Sequence, residues 1–462
     1  MRRYYYIMTM GCQMNEYDSD YVGRLLMKSG FRPADDPKAA DLVLLNTCTV
    51  RAKAQQKAYS LLGRMFALKK QRPGLILGLM GCMAQQEGSD LFKRFPYLDL
   101  VVGTREIGRI SQLIEHIERS HEKVVADNLS ILPYKLENNG YFRGRVKSHI
   151  SIMEGCNNYC SYCIVPYVRG REISRSSRDI LGEARDLISQ GIKEITLLGQ
   201  NVNSYRSSDK EDVHFPLLLQ RMNDLKGLVR LRFTTSHPKD LTEELIDCFR
   251  DLDKLCPHIH LPFQAGSDRI LKRMNRGYSR ETYMERVGQL REARPDLSIT
   301  SDVMVGFPGE SDDDFQMTLD LIRKIGFDSL FSFKYSDRKG TTAEKMDNKV
   351  EEAEKEKRLK ILQDIQRKIT LKKNRKRIGD MVEVLVEGES KKGGQLSGRN
   401  RNNIIVNFNL KNNIIGNLVN VIIEDAFVHS LRGRYVKEVN QYPSRAKRAQ
   451  RNALESRTWR NR

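Results

Sequence analysis

The sequence contains no run of about 18 apolar residues, so it offers no helix able to span a bilayer. No secretion signal or long presequence is expected, because strand-like residues (Tyr4-Tyr5-Tyr6-Ile7-Met8) begin almost at Met1. A cytoplasmic, reducing location is therefore expected. Cysteine is sparse, eight in 462 residues. In a reducing compartment those eight point to metal or redox chemistry rather than disulfides. Acidic residues are in deficit: 59 Asp and Glu against 79 Lys and Arg leave a formal charge of +20. Such a surplus favours a polyanionic partner, nucleic acid first and an anionic membrane surface second. The 39% of hydrophobic residues allows a sizeable core. The length suits about three domains at roughly 150 residues each. A secreted disulfide scaffold, a membrane protein and a mostly disordered chain are all excluded.

The first hundred residues are periodic. Three apolar runs each lead into a cysteine: Tyr4–Met10 before Gly11-Cys12, Leu42–Leu45 before Asn46-Thr47-Cys48, and Leu75–Met80 before Gly81-Cys82. The cysteines are 36 and 34 residues apart, which suits one βα unit each. Asp20–Ser29 and Ala52–Lys70 read as the intervening amphipathic helices. Each cysteine then sits just past the carboxyl end of a parallel strand, where open α/β sheets collect ligands.

Pro133, Asn138, Asn139 and Gly140 mark a linker, taken as residues 121–141. A second βα series follows in 142–375. Its candidate strands are His149–Met153, Glu194–Leu198, Val229–Thr234, His258–Leu261, Ser298–Val305 and Leu330–Lys334. Candidate helices include Arg178–Gln190, Leu241–Asp251 and Arg280–Ala293. Six such units suggest a partial parallel barrel or a doubly wound sheet. Val350–Arg377 alternates Glu with Lys and Arg and reads as one long helix with a solvated face. In 376–440, Val382–Gly388, Asn403–Phe408, Leu418–Ile423 and Leu431–Lys437 suggest a small antiparallel β-barrel. The tail, 441–462, is basic, and is expected either to attract polyanions or to act as a solubilising end.

The sharpest chemical signal is Cys156-x-x-x-Cys160-x-x-Cys163, directly after the first strand of the second series. Three thiolates on one loop can bind three irons of a 4Fe-4S cluster and leave the fourth iron open. Structural zinc normally takes four closed ligands, and the partner pair is missing here. Cys12, Cys48 and Cys82 form a second trio by their equivalent positions, suited to an auxiliary cluster, with a structural or zinc role as the alternative. Cys248 and Cys256 fit neither trio and are expected to serve packing.

The Cys156/Cys160/Cys163 spacing after a strand that opens a six-unit series resembles the radical S-adenosylmethionine superfamily. That resemblance implies that the open iron binds S-adenosylmethionine, whose cleavage gives a 5′-deoxyadenosyl radical. Tyr162 matches the aromatic residue usual before the third cysteine. Further segments resemble the methylthiotransferases, most closely the branch that modifies tRNA. They are Gly11–Asp18, Asn46–Arg51, Gly81-Cys82, Ser151–Asn157, Leu197–Asn203, Phe233–Pro238 and Val305–Glu310. The resemblance implies an N-terminal domain (1–120) with one 4Fe-4S cluster, a radical domain with a partial (β/α)6 barrel carrying the other, and a C-terminal TRAM domain. It implies two uses of S-adenosylmethionine, as methyl donor to sulfur and as radical source. The target implied is carbon 2 of N(6)-dimethylallyladenosine at position 37 of tRNA, an unstacked loop base accessible to a pocket. An electron donor such as a flavodoxin and a monomeric state are expected.

Where the superfamily has Gly-Gly-Glu to hold the amino group of S-adenosylmethionine, this chain has Leu198-Gly199-Gln200. Contact there is expected from carbonyl oxygens of Gly199 and Gln200. Asp302–Gly306 approximates the adenine motif, and a plain buried strand explains the same run. Ser236 and Gln264, at strand ends, either touch cofactor or substrate or shape their loops. Arg169 and Arg171 either contact phosphate or form surface salt bridges; His237 is a weaker site candidate. Competing readings are a methylthiotransferase for threonylcarbamoyladenosine or for a ribosomal-protein aspartate, and a non-catalytic RNA-binding protein with structural metal sites. The implied chemistry demands that both cysteine trios face one cavity.

Overall fold

The computed structural model describes residues 3–49, 52–130, 141–142, 144–209, 212–391, 393–410 and 414–437, with side chains of 52–55 left aside. The turn residues Pro133 and Asn138–Gly140 and the basic tail lie outside the described residues.

The N-terminal part is a six-stranded, all-parallel sheet: β1 Arg3–Met10, β2 Phe31–Pro33, β3 Leu42–Thr47, β4 Ile76–Gly81, β5 Leu100–Val102 and β6 Val124–Ala126, in the order β2-β1-β3-β4-β5-β6. Every residue of β3 and β4 is buried. This is what near-continuous apolar runs produce when helices cover both faces of a parallel sheet. Tyr21, Leu26, Ile110 and Ile114 pack on one face, and Ala58, Leu62, Met83 and Leu91 on the other. The helix after Cys12 starts at Gln13, earlier than the apolar pattern shows. Edge strand β6 falls within the stretch read as linker; three residues of Val-Val-Ala are too few to show a period.

The central part has six parallel strands: β7 Lys147–Ser151, then, beyond a short antiparallel pair of β8 Met153–Glu154 with β9 Ile173–Ser174, β10 Glu194–Leu198, β11 Arg230–Phe233, β12 His258–His260, β13 Ser298–Val305 and β14 Ser329–Lys334. They pair as β7-β10-β11 and β12-β13-β14. A bridge from Leu231 to Leu255 joins the halves. The arrangement is a partial barrel. Its core runs from Ile150 and Ile195 to Ile299 and Phe327.

The C-terminal strands are β15 Met381–Glu389, β16 Leu396–Asn400, β17 Ile405–Asn409, β18 Leu418–Ala426 and β19 Ser430–Val436, closed as β15-β16-β17-β19-β18. All pairings are antiparallel except β17 with β19, which closes the barrel in parallel. The helix Glu352–Arg375 is not solvated all round. Lys355, Arg358, Leu362, Gln366, Thr370 and Asn374 form a buried stripe along it. Five of these six are polar or charged, and Leu359, Ile365 and Ile369 pack on the core beside them only partly buried, which is why the sequence pattern reads as surface.

Candidate active site

Strand register places the first trio. Met10 pairs with Thr47, and Thr47 with Gly81, so the ends of β1, β3 and β4 stand in line. Cys12, Cys48 and Cys82 follow immediately and emerge at one carboxyl edge. A buried amide network braces them. Asn15 Nδ2 donates to Asn46 Oδ1 at 2.9 Å, and Asn46 Nδ2 donates to the Asn15 carbonyl at 2.8 Å and to Ser19 Oγ at 2.9 Å. Asn15 Oδ1 accepts from the Cys12 N–H at 3.2 Å. The small residue before the third cysteine now has a reason. Gly81 has φ +93°, and a methyl group there would meet Asn46 Oδ1 at 2.4 Å. Cys12 is exposed, while Cys48 and Cys82 are buried. A hydrogen bond with Cys48 lowers the Cys12 thiol to about 6, and Arg169 helps. Burial raises Cys82.

The second trio lies on the loop between β8 and the helix Val165–Arg169. Gly155 has φ +79°, and a Cβ there would lie 2.1 Å from the Arg171 carbonyl oxygen. The Gly155 N–H donates to Gln200 Oε1 at 2.6 Å. Asn275 Nδ2 donates to the carbonyls of Asn158 and Tyr159 at 3.2 and 3.1 Å. Ser161 Oγ donates to the Arg273 carbonyl at 2.8 Å. These bonds tie the loop to Gln200 on one strand end and to residues 273–275 on the other half of the barrel. Cys156 and Cys160 are buried and Cys163 half-buried. Burial, with Cys160 adding, pushes Cys163 up to about 12. Arg276 Nη1 donates to Cys160 Sγ at 3.4 Å.

The other candidates lie on this loop or at the ends of strands of the partial barrel. The Tyr162 ring meets Phe307 edge-on at 6.4 Å, beyond the end of β13. Gly199 is pressed against Met153, whose Cγ would lie 2.5 Å from an added Cβ. Gln200 spends its amide oxygen on the cysteine loop. Ser236 follows Thr235, which has φ +71°, and Gln264 has φ +64°. Left-handed backbone at non-glycine residues collects at functional sites. The Gln264 N–H donates to Asp302 and its carbonyl accepts from Met304, so it extends the β13 pairing. Several buried polar atoms at these strand ends have no hydrogen-bond partner among the described residues: Ser236 Oγ, His237 Nε2, Asn201 Oδ1, Asn203 Oδ1 and Glu154 Oε2. Such orphans call for a polar ligand. Burial lowers the His237 imidazole to about 2, so it stands neutral. Two trios of thiols and a rim of orphaned polar atoms together fit thiolate-bound iron–sulfur groups and a polar cofactor.

The two trios meet. Cys82 packs against Ile164, the residue after Cys163, and against Val168. Met14 and Tyr17, from the helix after Cys12, pack on Leu198, next to Gly199. Arg169 belongs to neither alternative offered for it: it is buried, not on the surface, and donates to Asp18 at 2.6 Å across the two domains. Arg171 is exposed. Cys248 and Cys256 are buried in the radical domain. Among the described residues, no group of three or more His, Cys, Asp or Glu is set to hold a metal ion. A 4Fe-4S cube takes its thiolates at separate corners rather than around one ion. Asn15, Asn46, Asp18 and Arg276 are residues that sequence reasoning left without a role. The first three lie inside the quoted motifs, and Arg276 carries no spacing signal at all.

Comparison with known proteins agrees with this architecture. Residues 150–322 match the Radical SAM superfamily, 4–103 the Uncharacterized protein family UPF0004, and 375–436 the TRAM domain. The chain is 51% identical over 443 residues to a tRNA-2-methylthio-N(6)-dimethylallyladenosine synthase of Syntrophus aciditrophicus, covering 95% of each chain. A protein of the same description from Geobacter sulfurreducens is 47% identical over 439 residues, covering 94% of this chain and 98% of that one. Among solved structures, the radical S-adenosylmethionine methyltransferase TsrM from Kitasatospora setae, with cobalamin and a 4Fe-4S cluster bound, superposes with TM-score 0.54 at 16% identity. The match covers 74% of this chain and 77% of that one, a likeness of fold.

Proposed function

Because the chain belongs to the tRNA-2-methylthio-N(6)-dimethylallyladenosine synthase family, we propose that it methylthiolates carbon 2 of N(6)-dimethylallyladenosine at position 37 of tRNA. It is a radical S-adenosylmethionine enzyme, and its cofactors are S-adenosylmethionine and iron–sulfur clusters. We assign one 4Fe-4S cluster to Cys12, Cys48 and Cys82 and a second to Cys156, Cys160 and Cys163. Bound there, the second would supply an electron for the cleavage of S-adenosylmethionine, and the first would supply a site for sulfur.

What the chain's own residues do follows from their positions. Gly155, Gln200, Asn275 and Ser161 hold the radical loop in shape. Asn15 and Asn46 hold the auxiliary one. We assign Tyr162, Gly199, Gln200, Ser236 and Gln264, with the orphaned atoms beside them, to the place for S-adenosylmethionine and the adenine base. The close docking of the two edges keeps water from a reactive carbon radical. The observation that carries this reading is the packing of Cys82 on Ile164, beside Cys163. It supports transfer within one chamber.

The substrate class is tRNA. We further propose a flavodoxin-type electron donor, a monomer and a cytoplasmic location. Among the described residues, no helix is long and apolar enough to cross a membrane. Mass spectrometry of tRNA nucleosides after anaerobic incubation with reductant and S-adenosylmethionine tests the reaction. The 2-methylthio derivative of dimethylallyladenosine is expected. Unchanged dimethylallyladenosine, with intact clusters and cleaved cofactor, contradicts the substrate; modified threonylcarbamoyladenosine in its place selects the competing one.

A further inference from the structure

Arg276 is buried, with 5% of its surface exposed. Its described partners are Cys160 Sγ at 3.4 Å from Nη1, the Pro262 carbonyl at 2.9 Å from Nη2 and the Tyr278 hydroxyl at 3.2 Å from Nε. None of them is a carboxylate, and Arg276 joins none of the ion pairs found among the described residues, whereas Arg169, Arg175, Arg230 and Arg358 all do. A buried guanidinium without a counter-ion is costly. The group able to supply the missing negative charge is the thiolate of Cys160.

We propose that Arg276 is a positioning residue that neutralises charge at the cluster held by Cys156, Cys160 and Cys163 and thereby raises its reduction potential. The inference rests on the cluster assignment made above. An oxidised 4Fe-4S core with three thiolates carries one net negative charge. The one-electron donor, a low-potential reductant, adds a second. A fixed positive charge hydrogen-bonded to a ligating sulfur stabilises the more negative state more strongly, and in a buried site it does so with little screening. The bonds to Pro262 and Tyr278 hold the guanidinium in place for this. Tyr278 itself donates to the Phe263 carbonyl at 2.9 Å, next to Gln264.

The test is an EPR-monitored redox titration of the full-length, reconstituted chain with and without Arg276→Gln. A Cys12→Ala, Cys48→Ala, Cys82→Ala form shows which transition belongs to which cluster. The expected result is a shift of the radical-site potential to a more negative value, with the auxiliary potential and the iron and sulfide content unchanged. An unmoved radical-site potential overturns the proposal, because a merely structural role for Arg276 would leave it in place. If Arg276→Gln fails to hold iron at this site, pulsed EPR of the reduced triple-alanine form carrying 15N-labelled arginine decides. Nitrogen coupling that changes with the label supports the proposal, and its absence overturns it. If the triple-alanine form with Arg276 intact binds no iron, the cluster assignment itself fails, a result distinct from an unmoved potential.

Discussion

Gly155 sets up the radical loop by having no side chain. A methyl group there would overlap the Arg171 carbonyl, and its φ of +79° strains any other residue. Gly155→Ala is expected to lower iron content from about eight to about four per chain, with the auxiliary cluster retained. Iron and sulfide assays check it, and full content in the variant would contradict it. A second prediction concerns His149. Burial lowers its imidazole to about 4. The unfolded chain therefore binds a proton near pH 6.5 that the folded chain refuses until about pH 4. The stability this neutral imidazole contributes is present above 6.5 and is lost as pH falls through 4. Between pH 6.5 and 5 the loss is about 2 kcal/mol. His149→Gln is expected to lose less of its thermal midpoint on acidification over that range. An identical loss in both proteins would refute the assignment.

The helix Glu352–Arg375 acts as an element through its polar stripe. Arg358 donates to Glu310 Oε2 at 2.8 Å and to Asp312 Oδ1 at 2.7 Å. Gln366 Nε2 reaches the Phe327 carbonyl at 2.9 Å, Thr370 the Asp328 carbonyl at 3.0 Å, and Asn374 the Phe427 carbonyl at 2.7 Å. The helix thus fastens the edge of the partial barrel and then the C-terminal barrel. The Glu310 side chain is fully buried. Arg358→Ala is expected to cost roughly 3–5 kcal/mol, because it strands that carboxylate. Adding Glu310→Gln recovers part of the loss, and denaturant titration of both variants shows whether it does. This stripe also shows where sequence reading stops. Strands Glu194–Leu198 and Ser298–Val305 and helix Arg280–Ala293 are legible to the residue, since apolar periodicity defines them. Strand β16, Leu-Ser-Gly-Arg-Asn, has one aliphatic side chain and no visible period. The six cysteines are legible because two patterns, a loop spacing and a βα period, mark them. Arg276 reaches Cys160 across 116 residues of sequence, and no local pattern encodes that.

The whole molecule presents its two chemistries at opposite ends of the partial barrel. Both cysteine trios lie beyond carboxyl ends of strands. The C-terminal barrel docks at the amino ends: Arg230 donates to the Arg399 carbonyl at 2.7 Å, Arg232 to that of Asn400 at 3.0 Å, and Asn402 to that of Asp296 at 2.7 Å. A substrate that touches both must span the length of β13, eight residues or about 25 Å. A nucleoside cannot do this, and a tRNA stem and loop can. With a formal charge of +20 the chain is expected to bind tRNA with an affinity that falls linearly in log–log form as salt rises. A salt-insensitive affinity in equilibrium binding would count against phosphate contacts. The central claim is that six thiolates form two separate clusters. Mössbauer spectroscopy of the 57Fe-reconstituted chain and of two variants, each with one trio replaced by alanine, tests it most directly. Two 4Fe-4S clusters per chain are predicted for the native sequence and one for each variant; a variant that keeps both clusters, or that loses both, would contradict the account.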